Sequence, residues 1–185
     1  MTSSEARDLV VRAAVAGAPW ALEQLWSELA PAVHGYLASQ GCREPEDVTS
    51  EVFVQVFSGI GRFSGSWPSL RSWVFTIAHH RMIDDRRRRS VRVVEPVGDL
   101  GDDDLASAPD IADAALVAVG TERVARLCAR LGPDQRDVLL LRLVAGLTVD
   151  EVAETVGRSA GAVKQLQRRG LLALRAIFEA EGVTL

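Results

Sequence analysis

Thr148-Val149-Asp150-Glu151-Val152-Ala153-Glu154-Thr155-Val156-Gly157-Arg158-Ser159-Ala160-Gly161-Ala162-Val163-Lys164-Gln165 is the stretch on which the fold turns. Thr148 and Glu151 form a capping box: the hydroxyl accepts the Glu151 backbone N–H while the Glu side chain reaches back to Thr148. The short helix that follows presents Val152, Ala153 and Val156 inward and stops at Gly157. Ser159 caps a last helix, whose inner face is Val163, Leu166, Gly170, Leu174 and Ile177. Two crossing helices need a small residue at the crossing, a residue tolerant of positive φ at the turn, and an apolar plug six positions later. Ala153, Gly157 and Val163 meet these needs, so the spacing predicts a helix-turn-helix rather than an ordinary helical hairpin.

The outward face of the last helix carries Lys164, Gln165 and Arg168, with Arg169 beside it. A charged helix face is usually only a solvated one. Here it lies on the element that the motif would lay in the major groove, where Arg and Lys suit guanine edges or phosphates and Gln suits adenine. Arg158, Arg169 and Arg175 are placed to hold phosphates. Upstream, Val124, Leu127, Cys128 and Leu131 form an apolar face closed by Gly132-Pro133, and a helix is expected from Asp134 to Val144.

The first half of the chain is also helical. Leu22, Leu25, Trp26, Leu29, Val33, Tyr36 and Leu37 make one apolar stripe, which Pro31 is expected to kink or restart. A second stripe runs through Val48, Val52, Phe53, Val56, Phe57 and Ile60, opened by Pro45-Glu46-Asp47, where fixed φ and the helix dipole favour proline and acids. Gly61 to Pro68 reads as a loop with Phe63 and Trp67 in it, and a third helix opens near Ser69 and ends in Arg86 to Arg89. Strand-like alternation is absent, so the fold class is all-α.

Charge divides the chain. The net charge of −4 hides a segment, residues 94–113, that holds Glu95, Asp99, Asp102, Asp103, Asp104, Asp110 and Asp113 and no base. With Pro96, Gly98, Gly101 and Pro109 among them, these residues have the composition of a solvated tether. Two small helical domains joined by a flexible acidic linker are therefore expected.

With 48% hydrophobic residues the chain can bury a core. No apolar run is long enough to cross a membrane, and Glu5, Arg7, Asp8 and Arg12 make the first residues unlike a secretory leader, so a cytoplasmic protein is expected. Cys42 and Cys128 stand apart, which argues against a C-x-x-C metal or redox pair. His79-His80 lacks neighbours at ligand spacing, so neither a metal nor a cofactor is expected. Nothing reads as a phosphate-binding loop, a dinucleotide fingerprint or a nucleophile elbow, and an enzyme is not expected. The competing reading is a helix-turn-helix regulator that binds its operator without polymerase. It would leave the Pro45–Ile60 helix and the aromatic loop without a purpose.

Three stretches together resemble the extracytoplasmic-function (ECF) sigma factors. They are Glu46-Asp47-Val48-Thr49-Ser50-Glu51-Val52-Phe53, Leu70-Arg71-Ser72-Trp73-Val74-Phe75-Thr76-Ile77-Ala78, and Leu131-Gly132-Pro133-Asp134-Gln135-Arg136 through the helix-turn-helix. The resemblance implies that residues 1–93 are region two, which binds core RNA polymerase and opens the −10 element of promoter DNA. It implies a linker at 94–117 and a region four at 118–185 that reads the −35 element. Polymerase contacts are then expected at Asp47, Glu51, Phe53 and Gln55. For −10 recognition and melting the expected set is Arg62, Phe63, Ser64, Trp67, Trp73, His79, His80, Arg81, Arg86 and Arg87. For the −35 element it is Arg158, Ser159, Lys164, Gln165, Arg168, Arg169 and Arg175. His79-His80 departs from the family's more usual Arg-Asn pair at that place. The resemblance also implies a separate anti-sigma protein as partner.

Overall fold

The computed structural model describes residues 3–90 and 127–180. The acidic segment and Val124, on which expectations were placed above, lie outside the described residues. Helices α1 (Ser3–Val15), α2 (Pro19–Ser39), α3 (Pro45–Gly59) and α4 (Trp67–Ser90) build the first domain, with a 3-10 turn at Ile60–Arg62 between α3 and α4. Helices α5 (Pro133–Leu143), α6 (Val149–Val156) and α7 (Ala160–Ala180) build the second. Among the described residues there is no strand, as the periodicity required.

Each amphipathic stripe turns into the shared interior of its bundle. In the first domain Val10, Ala14, Leu25, Leu29, Val33, Leu37, Val52, Phe53, Val56, Leu70, Val74, Phe75 and Met82 are buried. Each large side chain removed from water contributes about 1.5–3 kcal/mol. In the second domain Leu127, Leu131, Val138, Leu139, Leu140, Leu141, Val152, Val163, Leu174 and Phe178 are buried.

Three local expectations are corrected. Pro31 does not restart the helix: α2 runs without interruption from Pro19 to Ser39. Proline costs an interior helix one N–H and strands the carbonyl four residues earlier. Pro31 and Ser27 both face solvent, so water can satisfy that carbonyl. Helix α4 opens at Trp67 rather than Ser69, taking Trp67 and Pro68 out of the loop. The reason is tertiary: Asp8 of α1 accepts the Trp67 backbone N–H at 2.8 Å and so acts as a cap from a distant part of the chain. On α6, Thr155 is buried while Val156 is only half-buried, because Thr155 faces α4 of the other domain.

The helix-turn-helix is built as its spacing predicts. Thr148 N–H donates to Glu151 Oε2 at 2.7 Å, and Glu151 N–H donates back to Thr148 Oγ1 at 3.3 Å. Gly157 closes α6 at φ 66°, a left-handed conformation that a side chain disfavours. Ala162 N–H donates to Ser159 Oγ at 3.2 Å, the N-cap of α7. Gly170 lets α7 approach α5 closely: a Cβ there would sit 2.7 Å from Leu139 Cδ1.

The two domains touch. Helix α4 packs against α6, and α2 reaches α5. The Arg71 side chain donates from Nε to Ala145 O and from Nη2 to Val144 O, the first two carbonyls past the end of α5. Thr76 and Thr155 share a hydrogen bond at 3.0 Å. Arg86 pairs with Asp137 at 3.3 Å and donates to Gln40 Oε1 at 2.5 Å.

Candidate nucleic-acid interface

Helix α7 offers a basic face. Lys164, Arg168 and Arg169 are exposed on its N-terminal half and make no ion pair among the described residues, while Gln165 lies half-buried beside them. Arg158 and Ser159 precede the helix and are exposed. Arg158 is paired with Asp134 at 2.6 Å, and Arg175 with Glu179 at 2.9 Å on the same helix. Both pairs are exposed and weak, of order 0–1 kcal/mol, so a phosphate could displace either carboxylate. Two arginines of α5 brace the segments on either side of that helix. Arg136 donates to the carbonyls of Cys128, Ala129 and Leu131, and Arg142 donates to Leu147 O. Burial pushes the thiol of Cys128 up to about 11, against a smaller opposing effect of Arg136.

On the first domain the loop and α4 set an aromatic pair at the surface. Phe63 stacks on Trp73 with centroids 5.4 Å apart and planes 22° apart, both rings half-buried. Gly59 makes room for this, since a Cβ there would lie 3.2 Å from Trp73 Cζ2 and Cη2. Arg62 and Ser64 are exposed on the same loop, and His80 and Arg87 are exposed along α4. Arg81 bridges to α3, 3.6 Å from Glu51 and 3.2 Å from Gln55 Oε1. Asp47, Glu51 and Gln55 thus form an exposed polar edge of α3 that Arg81 joins to the α4 face.

Three of the expected contact residues are withdrawn from the surface. His79 is buried and hydrogen-bonded through Nδ1 to the Tyr36 hydroxyl at 2.9 Å. Burial, then the neighbouring His80 and Arg86, lower its pKa to about 4, so the ring is neutral at pH 7. Burial likewise pushes the Tyr36 hydroxyl far above its ordinary range, and the two neutral groups satisfy one another. Trp67 is buried under the Arg7 guanidinium, which lies 5.4 Å from the ring centroid. Phe53 is buried edge-on between Trp26 and Phe57. Phe53 stands on an apolar stripe in the sequence, whereas Trp67 reads as loop and His79 carries no such pattern, and which neighbours close over each of them has no local signal. Arg86 is half-buried, its charge already answered by Asp137, whose carboxyl burial raises in spite of that partner.

Comparison with known proteins joins the two halves. Residues 25–92 match the family model described as Sigma-70 region 2, and residues 128–176 match Sigma-70, region 4. The ECF RNA polymerase sigma factor ShbA of Streptomyces griseus is 30% identical over 181 residues, covering 92% of this chain and 94% of that protein. The chain belongs to the ECF RNA polymerase sigma factors. ECF sigma factor SigD of Mycobacterium tuberculosis is also 30% identical, over 96% of this chain and 86% of that one. ECF sigma factor BldN of Streptomyces coelicolor is 29% identical over 93% of this chain, which spans 65% of that relative's length. Two solved structures share the fold of this sigma factor. CnrH in complex with the cytosolic domain of CnrY aligns with a TM-score of 0.65 at 23% identity, over 95% of this chain and 98% of that one. The sigma factor RpoE in complex with the anti-sigma factor NepR from Bartonella quintana aligns at 0.60 and 18%, over 85% and 96%. In this sigma factor the contacts that join α4 to α5 and α6 had no sequence signal. Arg71, Thr76 and Asp137 read as ordinary helix-surface residues.

Proposed function

We propose that this sigma factor binds core RNA polymerase through the α3 edge of Asp47, Glu51 and Gln55, opens the −10 element with Phe63 and Trp73, and reads the −35 element with α7. The observation that carries the reading is the exposed Lys164, Arg168 and Arg169 face on a helix fixed by the Thr148–Glu151 box and the left-handed Gly157. Duplex opening needs flat apolar groups to replace lost base stacking, at roughly 1–3 kcal/mol per base, and cations to hold the displaced phosphates. Phe63 and Trp73 are suited to the first task, and Arg62, Arg81, Arg86 and Arg87 to the second. His80, exposed two turns along α4 from Trp73, is in position to face a −10 base. His79, Trp67 and Phe53 support these surfaces from within.

The protein works as a binding factor in the cytoplasm, and the polymerase supplies the phosphoryl chemistry. A separate anti-sigma protein is its natural antagonist, a partner of the kind named for the RpoE relative in fold. Run-off transcription with core polymerase on a genomic fragment library tests the reading. Discrete start sites that vanish without the protein are expected. Tight, selective binding to the same fragments without polymerase would favour an independent regulator instead.

A further inference from the structure

We infer that Asp84 is a specificity-determining residue, whose carboxylate reads the exocyclic amine of one cytosine or adenine in the −10 element. The inference rests on the proposed promoter reading and gives the α4 face a chemical preference. Trp73, His80 and Arg87 stand seven residues apart on α4, and each such step falls only about 20° short of two full turns. They therefore share one line along the helix, roughly 21 Å from end to end at about 1.5 Å per residue. Asp84 lies four residues after His80 and three before Arg87, so it stands on that same line between a ring and a cation. His80, Asp84 and Arg87 are all exposed, and Trp73 is half-buried.

The nearby arginines are engaged elsewhere. Arg88 follows Asp84 at the four-residue spacing that favours an ion pair on a helix. Its Nε nevertheless donates to the Asp84 backbone carbonyl, at 3.4 Å. Arg81, three residues before Asp84, turns to Glu51 and Gln55 of α3. Arg86 meets Asp137 and Gln40. Among the described residues the carboxylate of Asp84 makes no ion pair.

An unpaired negative charge within a face that meets phosphates repels DNA of every sequence. That cost is offset only where the carboxylate accepts a hydrogen bond that some bases can give and others cannot. On the major-groove edge of a base, cytosine N4 and adenine N6 donate, whereas thymine O4 and guanine O6 and N7 accept. A carboxylate has no hydrogen to offer, so it bonds the amines and repels the carbonyls. Asp84 lies about 6 Å along the helix axis from His80, so the two side chains address one base or its neighbour. The residue therefore weakens binding in general and favours one class of base in particular.

Run-off transcription with core polymerase and the full chain tests this on a fragment that the parent transcribes. Each −10 cytosine is replaced in turn by deoxyuridine and each adenine by deoxyinosine, which exchanges the amine for a carbonyl. At one position the exchange should lower transcription by the parent roughly tenfold. Asp84→Ala should erase that penalty and leave the others as they are. Asp84→Asn, whose amide both accepts and donates, should transcribe the amine and carbonyl templates alike. Ratios between variant and parent on the same templates cancel any effect of a base change on duplex stability and any loss of active protein. Asp84→Ala should also tighten holoenzyme binding to non-promoter DNA at low salt, an increase that fades as salt is added. A variant that keeps every penalty of the parent, or that binds non-promoter DNA less tightly, overturns the assignment of Asp84 alone. A parent that starts no transcript on any fragment overturns the promoter reading and this assignment with it.

Discussion

The ring of Phe63, in the loop before α4, lies stacked on Trp73 of that helix, 22° from parallel. A flat pair of this kind at a surface already has the geometry that a displaced base needs, and Gly59 keeps the space under Trp73 clear. Phe63→Ala should therefore slow promoter opening, at roughly 1–3 kcal/mol for one lost stacking partner. Permanganate reactivity of −10 thymines should fall while binding to core polymerase stays level. Unchanged reactivity would return the pair to the core.

Glu51 and Gln55 share Arg81 at the edge of α3. Glu51→Arg places a second cation against Arg81 and should weaken the complex with core polymerase. The helix itself should persist, because Glu51 is exposed. Competition against another sigma factor for core, with circular dichroism as the folding control, measures this; equal affinity would remove the α3 edge from the docking surface.

Arg168 projects from α7 with no ion pair among the described residues. Losing one bidentate base contact costs about 1–3 kcal/mol and relaxes preference at one position. Arg168→Ala should change which −35 variants are transcribed. A uniform loss across all variants would assign Arg168 to the phosphate backbone.

His79 ties stability to acidity. The unfolded chain takes up a proton at this ring below its ordinary pKa of 6.5, whereas the folded chain resists until about 4. Stability from this ring is therefore present above pH 6.5 and is lost as pH falls to 4, by about 3 kcal/mol at 1.36 kcal/mol per pH unit. Asp137, raised by burial, acts in the opposite sense, because the folded state takes up its proton first. His79→Gln keeps a polar partner for Tyr36 and should flatten the dependence. Urea midpoints at pH 7.5 and pH 5 give the comparison, and parallel slopes for variant and parent would refute it.

Gly170 faces Leu139 so closely that a methyl group must displace it. Gly170→Ala should destabilise the second domain by about 1–3 kcal/mol through overpacking, in spite of alanine's better helix propensity. Thermal unfolding followed on the second domain would show it.

Local signals in the sequence were reliable where the cause was local. Thr148 and Glu151 bond each other, Gly157 takes positive φ, and Pro45 opens α3, because each depends only on residues within one turn. That Pro31 does not restart its helix had no local signal, because its cost depends on whether the freed carbonyl meets solvent, a tertiary matter. The start of α4 was misplaced for the same reason, since its cap comes from Asp8 in α1. At the candidate interface, spacing put Lys164, Gln165 and Arg168 on one outward face, and the fold leaves Lys164 and Arg168 exposed with Gln165 half-buried beside them. It could not tell His80, exposed, from His79, buried: adjacent residues on a helix differ by about 100° in direction, and only packing decides which way is in. Arg71 and Asp137 carry no pattern at all, because their partners lie in the other domain.

Cys128 gives the second domain a built-in clock. Its thiol is fully enclosed and held at about 11, so it is neither ionised nor reachable in the closed helix end that Arg136 grips. Alkylating reagents attack thiolates, and this one becomes available only when that end frays or the domain unfolds. Where reclosing outpaces alkylation, the rate at which unaltered protein acquires an iodoacetamide adduct at Cys128 therefore reports the fraction of time that the second domain is open. Comparing that rate with and without polymerase would show whether the partner steadies the domain or loosens it, with no label introduced into the chain.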